Sequence, residues 1–175
     1  MRNAFLVGEK VFLRPLEPSD AATVAPWLNA REVNRTLLTC RPFSVQAEID
    51  FITSVSKDSN SIVLGVGLRE TEQLIGSAGL DQIDQRHRHA RFGILIGEKQ
   101  FWGQGYATEA TRLLIEHAFS MMNLNRVWLH VLAEHPAAIH VYEKIGFERE
   151  GILRQHVFSE GRYQDMLTMA ILRKA

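Results

Sequence analysis

The chain has 175 residues, enough for one domain that buries a substantial core, and a second domain is not needed. Twenty basic residues balance twenty acidic ones, which excludes a global basic footprint for nucleic acid and an acidic tail for a cationic partner. The single cysteine, Cys40, excludes an intramolecular disulfide and favours a reducing compartment.

The first eight residues hold a short apolar cluster but no signal-like segment, and no apolar run reaches membrane-spanning length, so the reading is a cytoplasmic protein that inserts in no membrane. Residues 10–16 read as a first strand ending at Pro15. Pro18, Ser19 and Asp20 then start a helix that runs to about Asn29. Residues 30–43 read as irregular. Ser44 caps a second helix, with Ile49, Ile52 and Val55 turned inward until Lys57–Asn60 breaks it. Residues 61–68 and 74–80 form a hairpin around the polar segment 70–73, and residues 90–96 supply the next strand.

A long amphipathic helix follows. Ala107, Ala110, Thr111, Leu114, Ile115, Ala118, Phe119 and Met122 recur at helical spacing, opposite Glu109, Arg112, Glu116 and Ser120. Residues 127–132 have few polar positions and read as a central strand. Pro136 opens another helix, with Ala138, Val141, Tyr142 and Ile145 on one face and Gly146 as its stop. Two strand-like runs, 147–158 and 162–172, close the chain around Glu160 and Gly161. Hairpins, then β-α-β-α, then a last hairpin predict a mixed, mostly antiparallel α/β (α+β) sheet flanked by helices on both faces, in a single domain over residues 1–175.

The junction between residues 91–96 and the long helix carries the chemistry. Gln100-Phe101-Trp102-Gly103-Gln104-Gly105-Tyr106-Ala107 places two glycines at a helix start. Glycine lets the chain turn there while N–H groups stay unpaired, and the helix dipole adds about half a positive charge, so a pyrophosphate fits. A Walker loop needs Lys and Ser or Thr after its second glycine, and Tyr106 and Ala107 stand there instead. A dinucleotide fingerprint needs a third glycine where Thr108 stands.

The remaining pattern, Gln-x-x-Gly-x-Gly followed by Tyr-Ala-Thr-Glu-Ala, resembles the acetyl-CoA loop of the GNAT N-acetyltransferases, in particular their ribosomal-protein and spermidine acetyltransferase-like branch. Other matches follow in order: Leu13-Arg14-Pro15-Leu16 with Asp20, Ile83-Asp84, Arg88-His89-Ala90, Lys144-Ile145-Gly146-Phe147-Glu148, Gly151-Ile152-Leu153-Arg154 and Gly161-Arg162-Tyr163-Gln164-Asp165. The resemblance covers nearly the whole chain and implies the acyl-CoA N-acyltransferase fold. It also implies direct acetyl transfer from acetyl-CoA, as co-substrate, to a primary amine, with no metal.

By that resemblance the strands at residues 94–97 and 127–132 diverge around the pantetheine arm. Backbone groups of Leu95 and Ile96 would pair with the arm, and Gln100, Gly103, Gln104, Gly105, Tyr106 and Ala107 would hold the pyrophosphate. Tyr142 is the implied acid for the leaving thiolate. His135 stands where many relatives carry asparagine, so it would contact the pantetheine or titrate as a base. A homodimer is also implied.

Other residues invite competing readings. His87 and His89 read as decoration of an exposed turn rather than a metal site, and Glu109 reads as a partner of Arg112. The acceptor pocket is expected from residues 27–45 and the final hairpin, with Trp27, Phe43 and Trp102 as core or lining. Arg31, Arg35 and Arg41 outnumber Glu32 there, and Arg86, Arg88 and Arg91 lie near the preceding strand. Such a lining would repel a polycation, so a protein N-terminus or a neutral or anionic small-molecule amine ranks above a spermidine-type polyamine. A non-catalytic acyl-CoA sensor is the competing class.

Overall fold

The computed structural model describes residues 3–37 and 39–174. Eight strands form one sheet in the order β1-β2-β3-β4-β5-β6-β8-β7. They are β1 (Leu6–Val7), β2 (Val11–Pro15), β3 (Ile62–Leu68), β4 (Leu74–Asp84), β5 (His89–Ile96), β6 (Arg126–Leu132), β7 (Glu148–Ser159) and β8 (Arg162–Leu172). Every neighbouring pair is antiparallel except β5 and β6. That exception has a cause in the chain: β5 and β6 are joined by helix α4 (Tyr106–Ser120), and a crossover helix returns the chain in the same direction.

Helices cover both faces, as the alternation within β3 shows. Leu64 and Val66 pack into the larger core with Ala110, Leu114 and Ala118 of α4 and with Ile139 and Tyr142 of α5 (Pro136–Ile145). Val63, next to Leu64 and on the opposite face, packs into a second cluster with Val24 and Trp27 of α1 (Ala21–Asn29) and Ile52 of α3 (Val45–Val55). Ser44 caps α3 by accepting the Ala47 N–H at 3.0 Å. The last hairpin turns at Glu160 and Gly161, with φ of 52° and 79°, the paired positive angles of a tight hairpin whose twist matches its strands.

Three boundaries differ from the sequence reading. The stretch taken as irregular contains helix α2 (Arg31–Leu37), which buries only Val33 and so shows no apolar periodicity. Asn29 and Asn34 bind it in place: Asn29 Nδ2 donates to the Ala25 and Phe43 carbonyls, and Asn34 Nδ2 donates to Leu28 O at 3.0 Å and to Thr39 Oγ1. Strand β4 continues past Leu80 to Asp84 through an irregularity at Gln82, whose φ is 50°. The N-terminal apolar cluster supplies β1, pairing Leu6 with Leu13 and Val7 with Phe12. No helix among the described residues is long and apolar enough to cross a membrane.

Candidate active site

The sheet splits where its one parallel pair runs out. Strands β5 and β6 are in register only at His89–Arg126, Ala90–Val127 and Arg91–Trp128. Beyond that point β5 stays with β4 as far as Ile96–Gly76, and β6 stays with β8 as far as Leu132–Met166. The two strands therefore part into a wedge with free peptide groups on its β5 wall.

Ladder parity says which groups those are. The Gly97 N–H donates to Ile75 O at 2.9 Å, so in the neighbouring antiparallel position Ile96 turns its N–H and C=O away from β4 and into the wedge. Of the pair expected to hold a pantetheine arm, Ile96 faces the gap with Ile94, and Leu95 directs its peptide groups to β4. The Ile96 carbonyl accepts a hydrogen bond from the Trp102 indole at 2.9 Å.

At the wide end lies the anion loop. Gly103 and Gly105 have φ of 73° and 85°, and a Cβ at either would meet no atom within 4 Å. Backbone conformation, not space, therefore demands glycine at both. Gly105 is the N-cap of α4 and offers no side chain to close the helix, and none of the described residues accepts a hydrogen bond from the N–H groups of Gly103 through Thr108. These amides can meet a phosphate. Gln104 Nε2 donates to Gln100 O at 2.5 Å and Gln100 Nε2 donates to the Glu98 carboxylate, so both glutamines knit the loop together. Tyr106 lies against Phe101 at 6.4 Å between ring centroids, and Ala107 O accepts the Thr111 hydroxyl at 2.7 Å.

Tyr142 sits at the closed end of the wedge. Its ring meets Phe92 edge-on at 6.3 Å and Phe147 at 5.7 Å, and Phe92 is the first β5 residue beyond the last paired one. The side chain is 9 % exposed and burial pushes the phenol up to about 12. Its hydroxyl is not among the sealed, unsatisfied polar atoms and has no partner among the described residues, so the ring is packed while its oxygen reaches open space. A group of this kind keeps its proton through neutrality.

His135 is the N-cap of α5, half-buried, with no hydrogen bond from its side chain to the helix start. Burial first, and the Arg35 guanidinium second, hold its imidazole below the ordinary histidine range. It is thus neutral at pH 7. Arg35 belongs to α2, so the segment read as irregular reaches the start of α5. Around that approach Arg31 of α2 meets Glu160 at 3.9 Å, and Arg162 pairs with Glu134, the residue before His135.

The charged residues distribute differently from the sequence expectation. Arg91 is held bidentately by Asp81 at 2.7 and 2.8 Å, and Arg88 donates to Asn123, so neither is an unpartnered lining charge. Among the described residues no carboxylate pairs with Arg35 or Arg41. Glu109 does not pair with Arg112: its Oε1 accepts the Lys10 N–H at 2.9 Å and the Val11 N–H at 3.5 Å, tying α4 to β2. A contact between residues so distant in sequence leaves no local trace.

Trp27 is core, packed beside Gly97, and Trp102 stands at the wedge. His87 and His89 stack at 6.3 Å, and no three potential metal ligands gather among the described residues. Sequence reasoning missed Glu48, buried on α3 four residues before Ile52 and raised by burial. The signal was an acid on the inward stripe. It also missed the Trp128–His130–His156 run of rings, where burial, His156 and Arg91 hold His130 below the usual range.

Known proteins share this arrangement. Residues 10–148 match the family model described as "Acetyltransferase (GNAT) domain". An uncharacterized N-acetyltransferase of Bacillus licheniformis is 29% identical over 97% of this chain and 96% of its own length. A putative ribosomal N-acetyltransferase of Bacillus subtilis is 30% identical over 96% and 94%. A spermidine N(1)-acetyltransferase of Vibrio cholerae is 39% identical over 58% of each chain. The crystal structure of the spermidine N-acetyltransferase from Vibrio cholerae in complex with CoA and spermine superposes with a TM-score of 0.87 at 31% identity, covering 94% of this chain and 96% of that one. The wedge, the glycine loop and these matches give one conclusion: the chain belongs to the GNAT acetyltransferase domain family and is an N-acetyltransferase.

Proposed function

We propose that the enzyme transfers the acetyl group of acetyl-CoA directly to a primary amine at the wedge, and that the acceptor is a protein N-terminus or a neutral or anionic small-molecule amine. The observation that carries the reading is Tyr142, whose packed ring and open, unpartnered hydroxyl sit where β5 and β6 part. The residues present fit the donor. The unpaired amides of Gly103 to Ala107 suit its pyrophosphate, and the cleft-facing peptide groups of Ile94 and Ile96 suit the amides of its arm.

In the reaction the amine lone pair attacks the thioester carbonyl, the C–S bond breaks, and the electron pair goes to sulfur. Tyr142 supplies the proton that converts the thiolate to thiol, the proton shed by the nitrogen goes to His135 or to solvent, and the tyrosinate takes back an equivalent proton from solvent, so the proton count closes. A neutral imidazole at His135 suits that second role.

The acceptor's own pKa sets how much help it needs. Deprotonating an α-amino group at neutral pH costs about 1 kcal/mol, whereas a polyamine or lysine nitrogen costs roughly 4 to 5 kcal/mol. With Arg35 beside His135, the approach favours the acceptor with less positive charge. The polyamine reading is favoured by a different observation, the likeness to a structure holding CoA and spermine.

Thiol release measured with an amine panel decides between them. Release with N-terminal peptides, amino acids or amino sugars supports the proposal, and release confined to spermidine and spermine replaces it with the polyamine reading. Binding of acetyl-CoA without release by any amine removes the catalytic proposal.

A further inference from the structure

The anion loop from Gln100 to Ala107 contains neither lysine nor arginine. A helix start contributes about half a positive charge, which is little against the several negative charges of a pyrophosphate and a 3′-phosphate. A cation reaches the loop from elsewhere in the chain. The ammonium of Lys10, just before β2, lies 3.4 Å from the carbonyl oxygen of Gln104, between the two loop glycines.

The turn that carries Lys10 is held from two sides. From α4, Glu109 Oε1 accepts the Lys10 and Val11 N–H groups. From β3's end, Arg69 donates to Gly8 O at 2.8 Å. Gly8 admits that carboxylate, since a Cβ there would lie 2.0 Å from Glu109 Oε1. The carboxylate is engaged by backbone, and among the described residues no carboxylate forms an ion pair with the Lys10 ammonium.

We propose that Lys10 supplies to the phosphates of CoA the positive charge that the loop's own sequence lacks, with Glu109 and Gly8 holding the turn that presents it. The inference rests on the reading that this loop holds CoA. It adds a binding residue from the opposite end of the sequence and gives Glu109 a positioning role.

Calorimetric titration of CoA and of 3′-dephospho-CoA into the full chain tests it, at about 0.05 M and about 0.2 M salt. Lys10→Gln is expected to raise the CoA Kd about five- to tenfold at the lower salt, with a smaller difference at the higher. Lys10→Arg should restore most of the affinity, and Lys57→Gln, at the far end of α3, should leave it unchanged. If 3′-dephospho-CoA is bound equally by wild type and Lys10→Gln, the charge serves the 3′-phosphate. If it is weakened as much as CoA, the charge serves the pyrophosphate. An unchanged Kd in Lys10→Gln overturns the proposal, as does a loss that neither salt nor arginine alters. Absence of CoA binding by the wild type would instead remove the reading of the loop itself.

Discussion

Strand β5 has two edges, and they serve different ends. Its β4 edge is paired from Asp81–Arg91 to Gly76–Ile96, so close that a Cβ on Gly76 would stand 2.1 Å from Leu95 O. Its β6 edge is paired for three residues and then opens. One edge holds the strand rigid so that the other can leave peptide groups unpaired by any strand, the Ile96 carbonyl meeting the Trp102 indole instead. A strand free on both sides would not keep Ile94 and Ile96 in a fixed register toward a ligand.

The comparison breaks most severely at the closed edge. Gly76→Ala forces backbone apart with no side chain able to yield, and should destabilise the fold by about 3 kcal/mol. For a chain of this size the loss appears as a Tm lower by roughly 6 to 12 °C in a thermal melt. A melt within a degree of wild type would mean that the two strands are not tightly paired there.

At the open edge the expected effect is on rate. Tyr142→Phe removes a proton donor and keeps the ring, so kcat should fall about a hundredfold while acetyl-CoA affinity and Tm stay close to wild type. Unchanged turnover would take Tyr142 out of the mechanism. Gly105→Ala tests the loop: the left-handed φ of 85° costs a residue with a Cβ about 1 kcal/mol. Calorimetry should show CoA affinity reduced several-fold.

His135 sharpens the comparison through pH. Its folded pKa is depressed, so it is neutral at pH 7 and gains a proton only below the ordinary histidine range. If it accepts a proton in the reaction, kcat/KM corrected for the ionisation of the acceptor amine is flat through neutrality and falls on acidification as the imidazole gains its proton. His135→Asn should erase that acid limb and lower the plateau by about tenfold or less. An identical profile in the variant excludes a titrating role.

The smallest effect is expected away from both edges, at Glu48. Its folded pKa is raised by burial, so the folded state holds the proton more tightly than the unfolded chain. Stability from this group is present at acid pH and is lost as pH rises through the folded value. Glu48→Gln should therefore raise Tm by about 2 to 3 °C at neutral pH and change it little near pH 4.

The element order, the capped start of α3 and the amphipathic face of α4 were legible because each rests on residues close in sequence: Ser44 with Ala47, or Ala110 with Leu114. Helix α2 was not legible, since its place is fixed by amide side chains and a single buried valine rather than by an apolar stripe. Glu109 misled for the same reason. Helical spacing offered Arg112 three residues away in the next turn's direction, whereas the backbone N–H groups of Lys10 and Val11 took the carboxylate.

By itself the sequence determined the glycine positions of the loop, because positive φ is a local requirement, and the family resemblance, because its motifs are contiguous. Tertiary structure alone decided that Ile96 rather than Leu95 faces the wedge, that the Tyr142 hydroxyl is open while its ring is packed, and that Arg35 stands by His135. Those outcomes depend on ladder parity and on contacts between distant segments, where pairing energy is decided by geometry that no local window contains.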